Sequence, residues 1–257
     1  MRDFLETLHE DAAKDPEQRA RELSKRELPK RFYKQAVAVA MDGGHAVHLD
    51  GRPVKTPARA TLLLPNEVLG MAVAAEWEAQ EKEVNPAAMP LTRIANSAQD
   101  AVSVRFDEVA DDVTKFAGND ALCYRADEPE SLVEAQRQTW DPVVEWAGDL
   151  LGGRFVLIEG IMHKPQPEAL LSACRVRISN ESPLRLAALH TVTSLTGSAL
   201  LALALKEGRL DADTVWSAAH VEEDFNIERW GKDAEAQQIR TYKRKEFDAA
   251  AFILRNG

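Results

Sequence analysis

A chain of 257 residues is long enough for one large core or two smaller ones, and its 45% hydrophobic and 29% charged residues are the balance of a folded globular protein. A net charge of −10 with no block of Lys or Arg excludes a general nucleic-acid binder and favours a basic or amphiphilic partner. Two cysteines outside any CxxC pair, Cys123 and Cys174, exclude a disulfide framework and a cysteine-based zinc site; both read as packed thiols in a reducing compartment.

Residues 3–28 read as a polar helix with a break at Asp15-Pro16, so residues 1–30 are expected to form an N-terminal helical extension. The start lacks the apolar run of a secretory signal and is too acidic for a mitochondrial transit peptide. From Arg31 the pattern becomes extended. FYKQAVAVAM is followed by the turn DGG, then HAVHLD, a second turn at Asp50-Gly51, and RPVKTP and ATLLLP, which predicts a small antiparallel β module over 31–65. His45 and His48 fall on opposite faces of a strand, which argues against a shared metal. Arg52 and Lys55 beside the second turn suit a phosphate or simply water, and the turn itself explains them adequately.

Residues 66–257 are expected to form a mainly helical domain. Asn66 is placed to cap a helix over 66–84, a loop follows around VNPAAMPLTR, and helical periodicity resumes over 92–116, 130–151, 167–179, 183–206, 212–230 and 233–253. GRFVLIEG at 153–160 interrupts with a short strand-like core. The fold class is therefore α+β, a small N-terminal antiparallel β module followed by a larger, mainly α-helical domain. The most apolar run, SALLALAL at 198–205, is too short to span a bilayer, so no membrane insertion is expected.

No GxGxxG, GxxxxGK[ST], GxSxG or HExxH occurs, which leaves no cofactor, metal or catalytic signature to build on. Cys123 between Leu122 and Tyr124 reads as core, with Asp120 either capping a helix or pairing with Arg125; Trp140 and Trp146 also read as core. The unusual stretch is AAHVEEDFNIERWGKDAEA, 218–236. Helical counting from Val215 leads through Ala218 and Glu222 to Phe225 and Arg229, and from Trp216 through His220 and Glu223 to Ile227 and Trp230. Each stripe carries one glutamate, so one carboxylate is expected beside apolar neighbours, where ionisation is costly without a partner. Two readings stay open: an internal ion pair with Arg229 or a distant lysine, or a contact with another molecule.

Several separated segments together resemble the assembly chaperones that attend the alpha subunit of the F-type ATP synthase catalytic head: RFYKQAVAV, HLDGRPVKTPARATLLLP, AAEWEAQ, MPLTRIANSAQD, DALCYR, QRQTWDPVVEW and EEDFNIERWGKDAEA, in order from about residue 31 to 236. The resemblance implies a non-enzymatic protein without cofactor that binds the newly made alpha subunit, shields the surface later met by the beta subunit, and is then displaced. It points to Glu222, Glu223, Phe225, Trp230, Asp233 and Glu235 as partner-binding residues. With no mitochondrial targeting segment at the start, it also implies a bacterial, cytoplasmic member, monomeric when free. A small-molecule hydrolase pairing Glu222 or Glu223 with Asp120, and an adaptor binding peptides by strand addition to the β module, are the alternatives.

Overall fold

The computed structural model describes residues 28–160 and 163–257; the helix expected over 3–28 lies, but for its last residue, outside them. The observed class is the expected α+β one, a small antiparallel sheet followed by mainly helical chain. The chain divides into two compact units, one containing, of the described residues, 28–105 with Pro183–Ala188 and Thr241–Gly257, the other Phe106–Ser182 and Leu189–Arg240.

In the first unit, β1 (Ala36–Met41) and β2 (Gly44–Leu49) form a hairpin in register from Ala36 opposite Leu49 to Met41 opposite Gly44. Both turn residues of the second hairpin, Asp50 and Gly51, have positive φ (48° and 82°), the conformation whose twist matches that of the flanking strands. The Asp50 carboxylate also accepts the backbone N–H groups of Lys34 and Gln35. Two short strands, β3 (Arg52–Pro53) and β4 (Leu63–Leu64), share the other side of β2, so β2 is central and β1 is an edge.

Helix α1 (Glu67–Glu78) covers one sheet face; Asn66 caps it as expected, its side chain accepting from Leu69 N–H. Gly70 allows the close approach, since a Cβ there would stand 2.9 Å from the Cβ of His45. The helix stops at Glu78, well short of residue 84, because Gln80 turns the chain, donating to the Glu76 carbonyl and accepting from Asn85 N–H. Glu76 in turn caps α2 (Pro90–Ser97), which has no capping side chain of its own: its carboxylate accepts Leu91 N–H, Thr92 N–H and the Thr92 hydroxyl. Burial raises the Glu76 pKa, and those three hydrogen bonds oppose the rise. Arg93 of α2 forms a buried ion pair with Glu246.

The expected helix over 92–116 resolves into α2, a wide turn over Ala98–Val102 and, at the start of the second unit, α3 (Phe106–Gly118). A short bridge joins β5 (Tyr124–Arg125) in parallel to β6 (Ile158–Glu159), inside the stretch expected to be strand-like. Helix α4 (Glu130–Leu151) has its expected bounds, and α5 is Glu168–Ser179. The expected helix over 183–206 breaks at Gly197 (φ 66°) into α6 (Pro183–Thr196) and α7 (Ala199–Lys206). Residues Ala199–Ala204 are all 0% exposed: the apolar run is the hub on which α3, α4 and α8 pack, not a membrane segment. Helices α8 (Ala212–Ala219), α9 (Val221–Trp230) and α10 (Ala234–Asn256) complete the chain. Among the described residues no helix is long and apolar enough to cross a membrane.

Candidate partner-binding surface

The helix expected over 212–230 is two helices, divided at His220. Asp211 caps α8 through Thr214 N–H, and α8 buries Val215, Trp216 and Ala218. His220 ends it: the ring lies against Trp216 with centroids 4.1 Å apart and Nδ1 is 2.7 Å from the Trp216 carbonyl. Burial lowers the His220 pKa, and the nearby Arg240 guanidinium adds to the effect. Because the chain turns here, neither apolar stripe continues, and α9 has no fully buried residue. The expectation that one glutamate lies among apolar neighbours is corrected accordingly.

Each carboxylate of the Glu222-Glu223-Asp224 run has a different anchor. Glu222 Oε1 accepts from Gln136 Nε2 at 2.6 Å, and Gln136, 1% exposed on α4, uses its oxygen to accept Ala126 N–H at 2.9 Å. Glu223 stands 3.4 Å from Arg240 and 3.9 Å from His220. Asp224 takes Arg240 with both oxygens, Nη2–Oδ2 being 3.0 Å, and this contact is the main reason that the Arg240 pKa is raised. The internal partner is thus Arg240, not Arg229 or a lysine. Arg229 instead lies over the Phe225 ring at 4.4 Å and donates to Ser131 Oγ.

Fixed in this way, α9 presents Phe225 half-buried under Arg229 and, at its end, Trp230 at 77% exposure. Gly231 (φ 87°) then turns the chain, Asp233 caps α10 by accepting Ala236 N–H, and Glu235 is exposed in the first turn of α10. Glu222, Glu223 and Phe225 share α9 with Trp230, whereas Asp233 and Glu235 belong to the next helix. Sequence reasoning missed Gln136, Asp224 and Arg240. Gln136 lies within QRQTW, one of the resembling segments, but its partner is 86 residues away; nothing in sequence spacing links the two.

Other candidates are structural. Asp120, fully buried, accepts Leu122 N–H and Leu200 N–H and so caps the start of α7; burial pushes its pKa up to about 6 against the pull of those bonds and the Ser198 hydroxyl. Arg125 pairs not with Asp120 but with Asp141 at 2.6 Å, and its guanidinium lies 5.5 Å over Trp140, itself buried and donating to the Ala218 carbonyl. Trp146 is half-buried on α4. Cys123 and Cys174 are buried, and burial pushes both thiols up to about 12. The hydrolase reading needs Asp120 beside Glu222 or Glu223, yet Asp120 is spent on backbone groups while the glutamates are tied to Gln136 and Arg240. Among the described residues no three His, Cys, Asp or Glu side chains are grouped to hold a metal. Arg52 is exposed in its turn and Lys55 donates to Thr61 Oγ1.

A family model described as ATP12 chaperone protein matches residues 30–148. The crystal structure of Atp12 from Paracoccus denitrificans superposes with a TM-score of 0.81, is 38% identical, and is matched over 97% of its length and 88% of this chain. The chain belongs to the ATP12 chaperone family. A second bacterial structure, of the Atu1473 protein from Agrobacterium tumefaciens, gives a TM-score of 0.87 at 43% identity, covering 99% of this chain and 96% of that one. The mitochondrial protein atp12 of Schizosaccharomyces pombe is 24% identical over 238 residues, 88% of this chain and 81% of its own. The ATP12 family is the one that the resembling segments pointed to, a family of ATP synthase assembly chaperones. Several of those segments prove to be brackets of the fold: Glu76 caps α2, Gln99 accepts Leu63 N–H and donates to the Thr61 carbonyl, and Asp100 accepts Ala58 N–H.

Proposed function

We propose that this chain binds the unassembled alpha subunit of the F-type ATP synthase, covers the surface later met by the beta subunit, and gives way to that subunit during assembly. Free, the chain is on this reading a cytoplasmic monomer. An orphan subunit of a hetero-oligomer exposes apolar area that drives aggregation. A chaperone with no nucleotide-binding motif holds such area by equilibrium binding, and its affinity must be low enough for the permanent neighbour to compete.

The observation that carries the site is the exposure of Trp230 at the end of a helix whose first-turn carboxylates, Glu222, Glu223 and Asp224, are held by internal partners. An exposed tryptophan on a fixed scaffold is the side chain that interfaces most often use as an anchor. Phe225 with its stacked Arg229 adds a second aromatic position, and Glu222, Glu223, Asp233 and Glu235 form an acidic surround suited to a basic client surface. The glutamates act at two levels on this reading: they hold α9 through Gln136 and Arg240, and their outer edges face the client.

The test is light scattering of purified alpha subunit, which aggregates alone, with equimolar chain added. Wild type should hold it in solution and protect unfolded citrate synthase far less. Trp230→Ala should lose protection while its melting temperature stays within about 2 °C of wild type, an exposed side chain contributing little to stability. Equal protection of both clients, or full protection by Trp230→Ala together with the Glu222→Ala/Glu223→Ala double variant, would remove the proposal.

A further inference from the structure

The β module carries a feature that the α9 surface does not use. Gln35 carbonyl accepts Asp50 N–H, and in an antiparallel ladder with this register the alternate pairs Val37–His48, Val39–Ala46 and Met41–Gly44 exchange hydrogen bonds with β2. The N–H and C=O groups of Ala36, Ala38 and Ala40 therefore point away from the sheet, along the free edge. At the Ala36 end the edge is closed: Glu78 Oε2 accepts Ala36 N–H at 2.7 Å while Oε1 pairs with Arg31 at 3.2 Å. Among the described residues nothing pairs with the edge at Ala38 and Ala40, and Ala40 is exposed. Edge strands are usually protected by a charge, a proline or a bulge. AVAVAM contains none of these. Its outer face, opposite the one covered by α1, carries Val37 at 37% and Met41 at 44% exposure with Val39 between them.

We infer that the Ala38–Met41 edge of β1 is a second binding site, which takes an extended segment of a non-native polypeptide as an added antiparallel strand. Backbone hydrogen bonds to Ala38 and Ala40 would hold the segment, and every second side chain would lie beside Val39 and Met41, so the segment needs alternate apolar residues. Two observations favour such a segment over a second copy of this chain. A chain of net charge −10 repels its own copy, whereas a segment ending in Lys or Arg meets Asp42 at the end of the strand and the acidic field of the whole protein. Pairing over four residues also buries far less than the roughly 1,000 Å² that a stable dimer needs, while a transient grip on an unfolded chain needs no more. The inference goes beyond the alpha-subunit reading and does not depend on it.

The experiment uses the full chain and a fluorescein-labelled peptide, Lys-Val-Thr-Val-Thr-Val-Lys, followed by anisotropy. Wild type should bind it saturably, and a copy of the peptide with N-methylated threonines, the residues whose N–H groups face Ala38 and Ala40, should bind at least tenfold more weakly. Ala40→Pro removes only the outward N–H and gives up no ladder bond, so the far-UV spectrum should be kept and peptide affinity should fall at least tenfold. Met41→Lys, which leaves the backbone intact, should give a comparable loss and serves if Ala40→Pro does not fold. Unchanged binding by folded Ala40→Pro or by Met41→Lys would overturn the site. So would a dimer in sedimentation velocity that Ala40→Pro abolishes, since the edge would then belong to a second copy. Trp230→Ala should bind the peptide as wild type does, so loss of alpha-subunit protection with peptide binding intact touches only the α9 reading.

Discussion

Replacing Gln136 by alanine tests how α9 is held. The side chain is 1% exposed and spans two elements, accepting Ala126 N–H at 2.9 Å and donating to Glu222 at 2.6 Å. Truncation leaves a part-buried backbone donor, Ala126 N–H, without its acceptor, a loss of about 1–3 kcal/mol, and removes a bond to an ionised group. Glu222 is exposed, so water replaces most of that second bond, and a total of about 2–4 kcal/mol is expected. For a protein of this size that lowers the melting temperature by roughly 5–12 °C. Glu222→Ala breaks the same bond from the exposed side and should cost about 1 kcal/mol or less. Because the two side chains act together, the double variant should fall short of the sum of the single losses by more than about 0.5 kcal/mol. Near-UV circular dichroism, which reports the neighbouring Trp140 and Trp216, follows the melting. A drop below about 2 °C for Gln136→Ala, or strict additivity with Glu222→Ala, would refute the idea that Gln136 anchors α9.

Arg240→Ala removes the partner of both Glu223 and Asp224 and leaves two adjacent carboxylates facing each other; a loss of about 1 kcal/mol in urea unfolding, shrinking as salt is raised, is expected because the pairs are partly exposed. Asp120 gives a pH signature. Its folded pKa, about 6, is raised above the ordinary 3.8, so its contribution to folding is fully present below about 4 and is lost as pH rises through 6; the full swing is about 3 kcal/mol. Urea midpoints of wild type should carry this slope between pH 4 and 6.5, and Asp120→Asn should flatten it while lowering stability throughout, since an amide nitrogen would face a backbone donor. With both thiols pushed up to about 12, Cys123 and Cys174 should not react with a disulfide reagent in the native protein and should react fully in guanidinium.

The parts of the fold that were legible in the sequence are those governed by local chemistry. The two hairpin turns, the Asn66 cap, the bounds of α4 and the packed thiols follow from Asp-Gly steps, a capping side chain, a 3.6-residue period and apolar flanks. Helix breaks were not legible, because the side-chain bonds that fix them leave no mark in the hydrophobic period. Gln80 ends α1 through Asn85; Gly197 yields to Asp120 and Ser198, which cap α7 together; His220 folds back on Trp216. Two adjacent glutamates drew attention to α9, but their anchors are 86 and 17 residues away, beyond any spacing rule. The edge of β1 follows only from knowing that β3 and β4 both take the far side of β2.

The alpha-subunit reading rests on binding, and a titration reads it directly. Fluorescently labelled chain is titrated with purified alpha subunit, and beta subunit is then added in excess. Saturable binding at one to one, weakened at least tenfold in Trp230→Ala and reversed by beta subunit, is the predicted result. Binding of beta subunit as tight as that of alpha, or a complex with alpha that excess beta leaves intact, would contradict it.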